Sequence, residues 1–207
     1  MTTMLTWQAE GRPGLEGARV HFGPGPLGFR ALGRIVRPDP AGDFTASYNL
    51  VVREDGTLTR LSLTAATTAA EKHLTIQRTD DGFWLFDDGS GSGRADFDGA
   101  ADVDLEFSPL FNSLPIRRSA AHRESVDVEL PVVFVSLPEL EVSTAVQRYV
   151  TVRPGAGDVP AVVGFSWDDF TADLSVDVDG FVISYPGLAD LLSSERAEPV
   201  KAVRPAG

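Results

Sequence analysis

The 207-residue chain contains no cysteine, which excludes disulfide cross-links, cysteine-ligated zinc and thiol nucleophiles. Basic residues are also scarce, since 18 Lys and Arg stand against 30 Asp and Glu and the formal net charge at pH 7 is −12. A surface of this sign repels phosphate backbones and anionic lipid headgroups. We therefore expect neither nucleic acid nor a membrane surface as a partner.

Long apolar runs are missing as well, so the sequence predicts no membrane insertion. The first ten residues have neither the basic segment nor the apolar run that is typical of a signal peptide. These two absences favour a cytoplasmic location.

Helical periodicity is rare, whereas glycine and proline are plentiful at 20 and 14 residues. Three Asp-Gly pairs each separate two segments in which apolar and polar residues alternate. The pairs are Asp55-Gly56, Asp81-Gly82 and Asp179-Gly180. Because Asp-Gly is typical of the positive φ angles of a two-residue turn, we predict three β-hairpins.

One helix is indicated, beginning with Ser108 as N-cap and Pro109 as the first helical residue. Pro115 predicts that this helix is kinked or short. A short helical turn is also predicted within 187–194. The fold class is therefore mainly β: a large, strongly curved antiparallel sheet or open barrel of hairpin strands, wrapped around a single α-helix. Residues 1–194 are expected to form one domain and residues 195–207 a flexible tail.

The motif Gly23-Pro24-Gly25-Pro26-Leu27-Gly28 matches the glycine pattern of dinucleotide-binding loops. Its two prolines remove amide donors that such a loop needs, and no alternating strands and helices follow. We predict no cofactor.

Three acidic residues alternate along one strand: Asp102, Asp104 and Glu106. Carboxylates spaced along a strand do not converge on one point, so we interpret them as a solvated outer face rather than a metal site. The three histidines are scattered, and no nucleophile motif is present. The sequence thus predicts no metal site and no catalytic residue.

The helical segment after Ser108 combines apolar residues with Asn112, Arg117 and Arg118. An amide and guanidinium groups beside an apolar helix are suited to the headgroup of an amphiphile. The alternative is that Asn112 caps backbone groups and that the arginines pair with surface carboxylates.

This segment carries a family resemblance. Asp104-Leu105 followed by residues 108–118 resembles the signature of the bacterial putative glycolipid-binding domain family. The similarity continues at 135–140, 147–149, 170–174, 185–188 and the opening Leu5-Thr6-Trp7. The resemblance implies an antiparallel sheet around one helix, a homodimer, and a shape similar to bacterial lipoprotein carriers, whose curved sheets hold acyl chains. It implies no catalytic residue.

We therefore expect a non-enzymatic binder or carrier of a glycolipid or another amphiphile. The candidate ligand-binding residues are Asn112, Arg117, Gln147, Tyr149, Trp7, Phe111 and Phe134. Two alternatives remain open. A filled core without a cavity would favour a structural, dimerising protein, and a buried carboxylate converging with a hydroxyl in one cleft would favour a hydrolase of acyl or glycosyl bonds.

Overall fold

The computed structural model describes residues 1–40 and 42–197. It contains fifteen strands: β1 Thr2–Ala9, β2 Leu15–Phe22, β3 Phe29–Arg37, β4 Phe44–Val52, β5 Leu58–Thr67, β6 Glu71–Arg78, β7 Trp84–Asp87, β8 Ser92–Ala95, β9 Asp102–Leu105, β10 Asp127–Val135, β11 Val142–Arg153, β12 Ala161–Trp167, β13 Phe170–Val176, β14 Val182–Tyr185 and β15 Ala189–Arg196. The helix α1 spans Pro109–Arg118, and a 3-10 turn spans Phe97–Gly99.

All of these strands belong to one sheet, in the order β8-β7-β6-β5-β4-β3-β2-β1-β15-β14-β13-β12-β11-β10-β9. Neighbouring strands pair antiparallel, except for β9 and β10, which are parallel. The antiparallel pair of β1 and β15 joins the two ends of the described chain. The curved sheet surrounds α1 without closing, because β8 and β9 remain as edges. The predicted mainly β fold around one helix is confirmed.

Side chains, rather than a strand ladder, bridge the gap between the two ends of the sheet. The indole Nε1 of Trp84 donates to the carbonyl of Ala100 at 2.9 Å, and Arg78 Nε donates to the same oxygen at 3.3 Å. Phe97 packs edge-on against Trp84, with 6.4 Å between ring centroids. These contacts tie β6 and β7 to the segment that leads into β9.

The three predicted hairpins are confirmed as β4–β5, β6–β7 and β13–β14. The predicted turn type is wrong. Within the pairs the left-handed residue is the glycine, with φ of 87° at Gly56 and Gly82 and 86° at Gly180, whereas a two-residue type I′ turn needs positive φ at both central residues. Each glycine N–H donates to the carbonyl three residues earlier. The loops are thus one residue longer and end in a glycine bulge.

The predicted start of α1 is confirmed, and its residues 109–117 are all buried. Pro115 does not end the helix, which continues to Arg118. Segment 187–194 is not a helical turn, because most of it lies in β15 and pairs with β1. Strand β15 extends to Arg196, two residues into the predicted tail. Residues 198–207 of that tail lie outside the described residues, and the domain boundary stays a prediction.

The interior of the sheet is filled. Trp7, Trp84 and Phe111 are fully buried in a large cluster between α1 and the first half of the sheet. A second cluster forms around Ile116 and Tyr149, between α1 and the strands from β11 to β14. No long apolar channel runs through this described interior.

Glu16 on β2 holds the first turn of α1. Its Oε1 accepts from Tyr48 Oη at 2.5 Å and from Ser108 Oγ at 2.6 Å, and the backbone of Leu110 adds a third hydrogen bond. Ser108 makes no side-chain bond to its own helix. A carboxylate from the sheet therefore provides the cap that the N-cap residue does not.

Tyr48 reaches Glu16 by crossing the intervening strand β3 at Gly33. A Cβ at Gly33 would lie 2.0 Å from Cζ of the Tyr48 ring. Only glycine allows this close approach.

We expect Gly33→Ala to lower the free energy of unfolding by roughly 1–3 kcal/mol, because the added methyl displaces the Tyr48 ring from Glu16. Gly17→Ala is the matched control, since a Cβ there meets no atom within 4 Å. It should change stability by less than about 0.5 kcal/mol. Urea denaturation measures both, and equal stabilities of the two variants would contradict the assigned role of Gly33.

Burial raises the pKa of Glu16 from 4.5 to about 7, although its hydrogen bonds from Ser108 and Tyr48 act in the opposite direction. Because the folded pKa exceeds the unfolded one, the folded state binds more protons between pH 4.5 and 7. The stability from this group is present below pH 4.5 and is lost as the pH rises through 7. The loss amounts to at most about 3 kcal/mol.

Glu16→Gln removes this titration while keeping the shape of the side chain. We expect its free energy of unfolding, relative to the original protein, to increase between pH 5 and pH 8 in urea titrations. The exposed Glu129→Gln is the control and should give a constant difference. A constant difference for Glu16→Gln would contradict the buried-carboxyl assignment.

Candidate ligand-binding cleft

The acidic residues of β9 point into the protein. Asp102 and Asp104 are only 1% and 8% exposed, so the interpretation of a solvated outer face is wrong. Strand β9 is covered by α1 as well as by its neighbour β10, and all four of its residues are buried. Alternation identifies two faces of a strand but not which of them meets solvent.

The two buried aspartates are satisfied differently. Asp102 forms an ion pair with Arg118, with 2.5 Å between Oδ2 and Nη2. Asp104 instead accepts from the neutral amide of Gln147, with 2.6 Å between Oδ2 and Nε2. This difference bears on what the site can bind.

Asp104 ends a chain of four buried polar side chains. Asn112 Nδ2 donates to Tyr149 Oη at 3.1 Å, Tyr149 donates to Gln147 Oε1 at 2.8 Å, and Gln147 donates to Asp104. Every bond in the chain points toward the carboxyl group, so the bonds polarise one another in the same direction. The network fixes both Asp104 and Asn112 relative to the sheet.

Burial dominates the electrostatics of this network. It raises the pKa of Asp104 from 3.8 to about 7, against the opposing effect of the Gln147 hydrogen bond. Burial also raises the pKa of Tyr149 and of Tyr185, and the nearby charge of Asp104 adds to both shifts. A carboxyl group whose pKa lies near neutral pH gains or loses its proton easily when a ligand binds beside it.

Asp104 and Asn112 lie at one wall of a cleft of about 330 Å³. Its lining residues come from the β9–α1 segment, the end of β10, β12, β14 and the segment after β14. They are Asp104, Leu105, Glu106, Phe107, Ser108, Asn112, Phe134, Ser136, Phe165, Trp167, Tyr185 and Leu188. We call this site the aromatic cleft.

Aromatic rings form a large part of the cleft lining. Phe134 packs against Trp167 with 4.7 Å between centroids, and Phe165 packs against Tyr185 at 5.7 Å. Phe170 extends this cluster to the surface, where it is 44% exposed. The cleft therefore combines aromatic rings with buried polar groups.

Of the residues predicted from sequence, Asn112 and Phe134 line the aromatic cleft. Gln147 and Tyr149 lie directly behind it in the polar network. Trp7 and Phe111 are elsewhere: Trp7 donates to the carbonyl of Val182, and Phe111 packs in the core.

Arg117 is also outside the cleft, in the last turn of α1. Its guanidinium donates to the carbonyls of Asp179, Pro26 and Leu27 and lies 4.9 Å from the ring centroid of Phe181. A Cβ at Gly180 would come within 2.5 Å of its Cγ. These contacts give Arg117 a structural role in holding the end of the helix.

Ten of the twelve lining residues were not predicted, among them Asp104 and the aromatic residues Phe165, Trp167 and Tyr185. These three aromatic residues lie on β12 and β14, far in sequence from Asn112, and the sheet brings them to it. Trp167 and Phe165 alternate with small or polar residues, which indicates a strand face but not its neighbours. No local signal identifies them as a site.

Two larger hollows of about 600 and 810 Å³ lie beside the hairpins from β6 to β8. Both are lined mainly by exposed polar strand and turn residues, so they lack the buried polar groups of the aromatic cleft.

Within residues 1–40 and 42–197, no three His, Asp or Glu side chains converge as metal ligands. No helix in that same portion has the length and hydropathy to cross a bilayer.

Comparisons with known proteins agree with this architecture. A crystal structure of a DUF1089 family protein from Pseudomonas aeruginosa is similar at a TM-score of 0.66 and 23% identity, covering 84% of this chain and 91% of that one. A β-barrel-like protein of domain of unknown function DUF1849 from Brucella abortus is similar at a TM-score of 0.53 and 8% identity, covering 94% and 97%. At these identities the likeness shows the fold alone.

No curated protein matches the chain. The profile of the family described as "Putative glycolipid-binding" matches residues 4–190, nearly the full length, and confirms the resemblance drawn from the sequence. The chain belongs to this putative glycolipid-binding family.

Proposed function

We propose that the protein is a non-enzymatic binder of a glycolipid-like amphiphile and that the aromatic cleft receives the headgroup. The observation that carries this proposal is the juxtaposition of ring faces with a buried carboxyl and amide. Sugar rings carry C–H faces that pack on aromatic rings and hydroxyls that donate to carboxylate and amide oxygens. The family name supports the same ligand class.

The size of the cleft favours a headgroup rather than an entire lipid. Its volume of about 330 Å³ lies at the lower end of the range of roughly 300–1,000 Å³ for small-molecule sites. Large side chains such as Trp7, Trp84 and Phe111 occupy the interior between the sheet and α1. We therefore assign the tail to the surface beside Phe170, which continues the aromatic cluster outward.

A hydrolase is the second candidate, because a specific observation favours it. Asp104 has a pKa raised to about 7 and shares the cleft with the hydroxyl groups of Ser108 and Tyr185. A carboxyl group whose pKa lies near neutral pH is suited to general acid–base catalysis. His122 does not contribute, because it lies near Gly180. Turnover of octyl glycosides or short-chain esters, abolished by Asp104→Asn, would favour this candidate over binding.

The homodimer and the cytoplasmic location stay predictions. Exposed apolar side chains on the outer face of adjacent strands support the homodimer, among them Leu15 and Val36, which are directly paired and 49% and 46% exposed. Light scattering after size-exclusion chromatography measures the oligomeric state.

We expect octyl β-D-glucoside, kept below its micellar concentration, to bind the protein and to change its tryptophan fluorescence. Trp167 is partly exposed in the cleft, whereas Trp7 and Trp84 are fully buried, so Trp167 reports the binding. Trp167→Phe should remove most of the signal while isothermal titration calorimetry still detects the ligand.

Phe134→Ala should weaken the same binding by about tenfold, because it removes an aromatic ring of the cleft lining that packs against Trp167. Phe83→Ala is the matched control, since Phe83 packs under Arg94 outside the cleft. If both variants bind as the original protein does, the aromatic cleft is not the binding site.

A further inference from the structure

We infer that the headgroup bound in the aromatic cleft carries a positive charge, in the form of an amino group on a sugar or similar polyol. This inference rests on the proposed function, because it specifies the chemistry of the ligand at the same site. It follows from the charges that line the cleft and from a comparison of two aspartates on one strand.

The described residues that line the cleft include two acids, Asp104 and Glu106, and no lysine, arginine or histidine. The protein as a whole carries a formal charge of −12. An anionic headgroup such as a phosphate or sulfate would therefore meet repulsion both at the site and during its approach. The ligand is thereby restricted to neutral and cationic headgroups.

The surroundings of Asp104 favour a cationic headgroup over a neutral one. Asp102, two residues earlier on β9, is equally enclosed and forms an ion pair with Arg118. Asp104 has a hydrogen bond from Gln147 but no ion pair within the described residues. A buried carboxylate without a counter-charge is costly, and a cationic ligand would supply what Arg118 supplies to Asp102.

Glu106 is already supported by the protein. It accepts from the backbone N–H of Leu137 at 2.7 Å, and it is only partly buried, so water also solvates its charge. Asp104 is thus the fully enclosed acid of the cleft, and it is the one that a cationic ligand would stabilise most.

The aromatic walls favour the same class of ligand. Phe134, Phe165, Trp167 and Tyr185 line the same cleft as Asp104, and each ring carries an electron-rich face. Such faces attract an ammonium group, and more strongly where water is excluded. A carboxylate combined with several rings is a better partner for an amino sugar than for a neutral one.

Protonation adds a second signature. The titratable groups that act on Asp104 or are acted on by it are Glu106 on its own segment, Tyr149 on β11 and Tyr185 on β14; the neighbouring side chains Asn112 and Gln147 are neutral. Without ligand, burial holds the pKa of Asp104 at about 7. An ammonium ligand favours the ionised form, so binding releases a proton below that pH and becomes weaker as the pH falls.

The test uses three octyl glucosides that differ only at carbon 6 of the sugar: the 6-amino-6-deoxy compound, the parent hydroxyl compound and the glucuronide. Isothermal titration calorimetry with the original protein at pH 7.5 should give an affinity at least tenfold higher for the amine than for the hydroxyl, and the lowest affinity for the carboxylate. The advantage of the amine should shrink at pH 5.5, where Asp104 is protonated.

Asp104→Asn should abolish the advantage of the amine, so that the amine and the hydroxyl compound bind this variant with affinities that agree within about threefold. Asp127→Asn removes the same charge from the surface, where Asp127 pairs with Arg148, and should leave the advantage intact. The comparison of the three probes on the original protein does not depend on the folding of either variant.

The outcomes separate the two proposals. If the hydroxyl compound binds but the amine binds no more tightly, the inference that the headgroup is positively charged is wrong, whereas the proposed function stands. If none of the three binds, both are wrong. A methyl glycoside of the amino sugar that binds as tightly as its octyl counterpart would show that the octyl chain adds nothing to the affinity. The inferred positive charge of the ligand would then stand, and the proposal that the ligand is an amphiphile would be wrong.

Discussion

Helix α1 is buried on every side by the sheet, and this places a strict demand on its two ends. Unpaired backbone N–H and C=O groups cannot be left in an apolar interior, so both ends need partners. At the first turn the partner is Glu16, supported by Tyr48. At the last turn the backbone N–H groups of residues 119–121 donate to the helix carbonyls, and the side chains of Arg117 and Arg118 anchor this end to loop carbonyls and to Asp102. Gly33 is a consequence of the same demand, because Tyr48 reaches Glu16 across it.

The aromatic cleft depends on this arrangement. Strand β9 carries Asp102 and Asp104 only two residues apart, so the ion pair that anchors the end of the helix also fixes the strand that presents the acid of the cleft. Asn112 on the helix reaches the same acid through Tyr149 and Gln147. The site is therefore built on the most constrained elements of the fold, which pre-organises its polar groups before a ligand arrives.

Local chemistry made the hairpins and the start of the helix predictable, since Asp-Gly pairs and Ser108-Pro109 act over a few residues. The direction in which Asp102 and Asp104 point was not predictable, because it depends on which face of β9 the helix covers. The walls of the cleft were missed for a related reason: Phe165 and Tyr185 meet Asn112 only through the order of strands in the sheet. Asn112, Gln147 and Tyr149 were proposed as ligand contacts from sequence, and the structure places them at or directly behind the cleft.

The pairing of β1 with β15 has a consequence for biosynthesis. The ribosome makes residues 2–9 long before residues 189–196, so the ladder between β1 and β15 cannot form until nearly all of the described strands have emerged. Until then the nascent chain consists of two half-sheets, and the inner edges of both are open to wrong partners. The strands from β2 to β8 also emerge before the helix that fills them. The pairing of residues so far apart in sequence also makes folding slower to complete than in a protein built from local contacts.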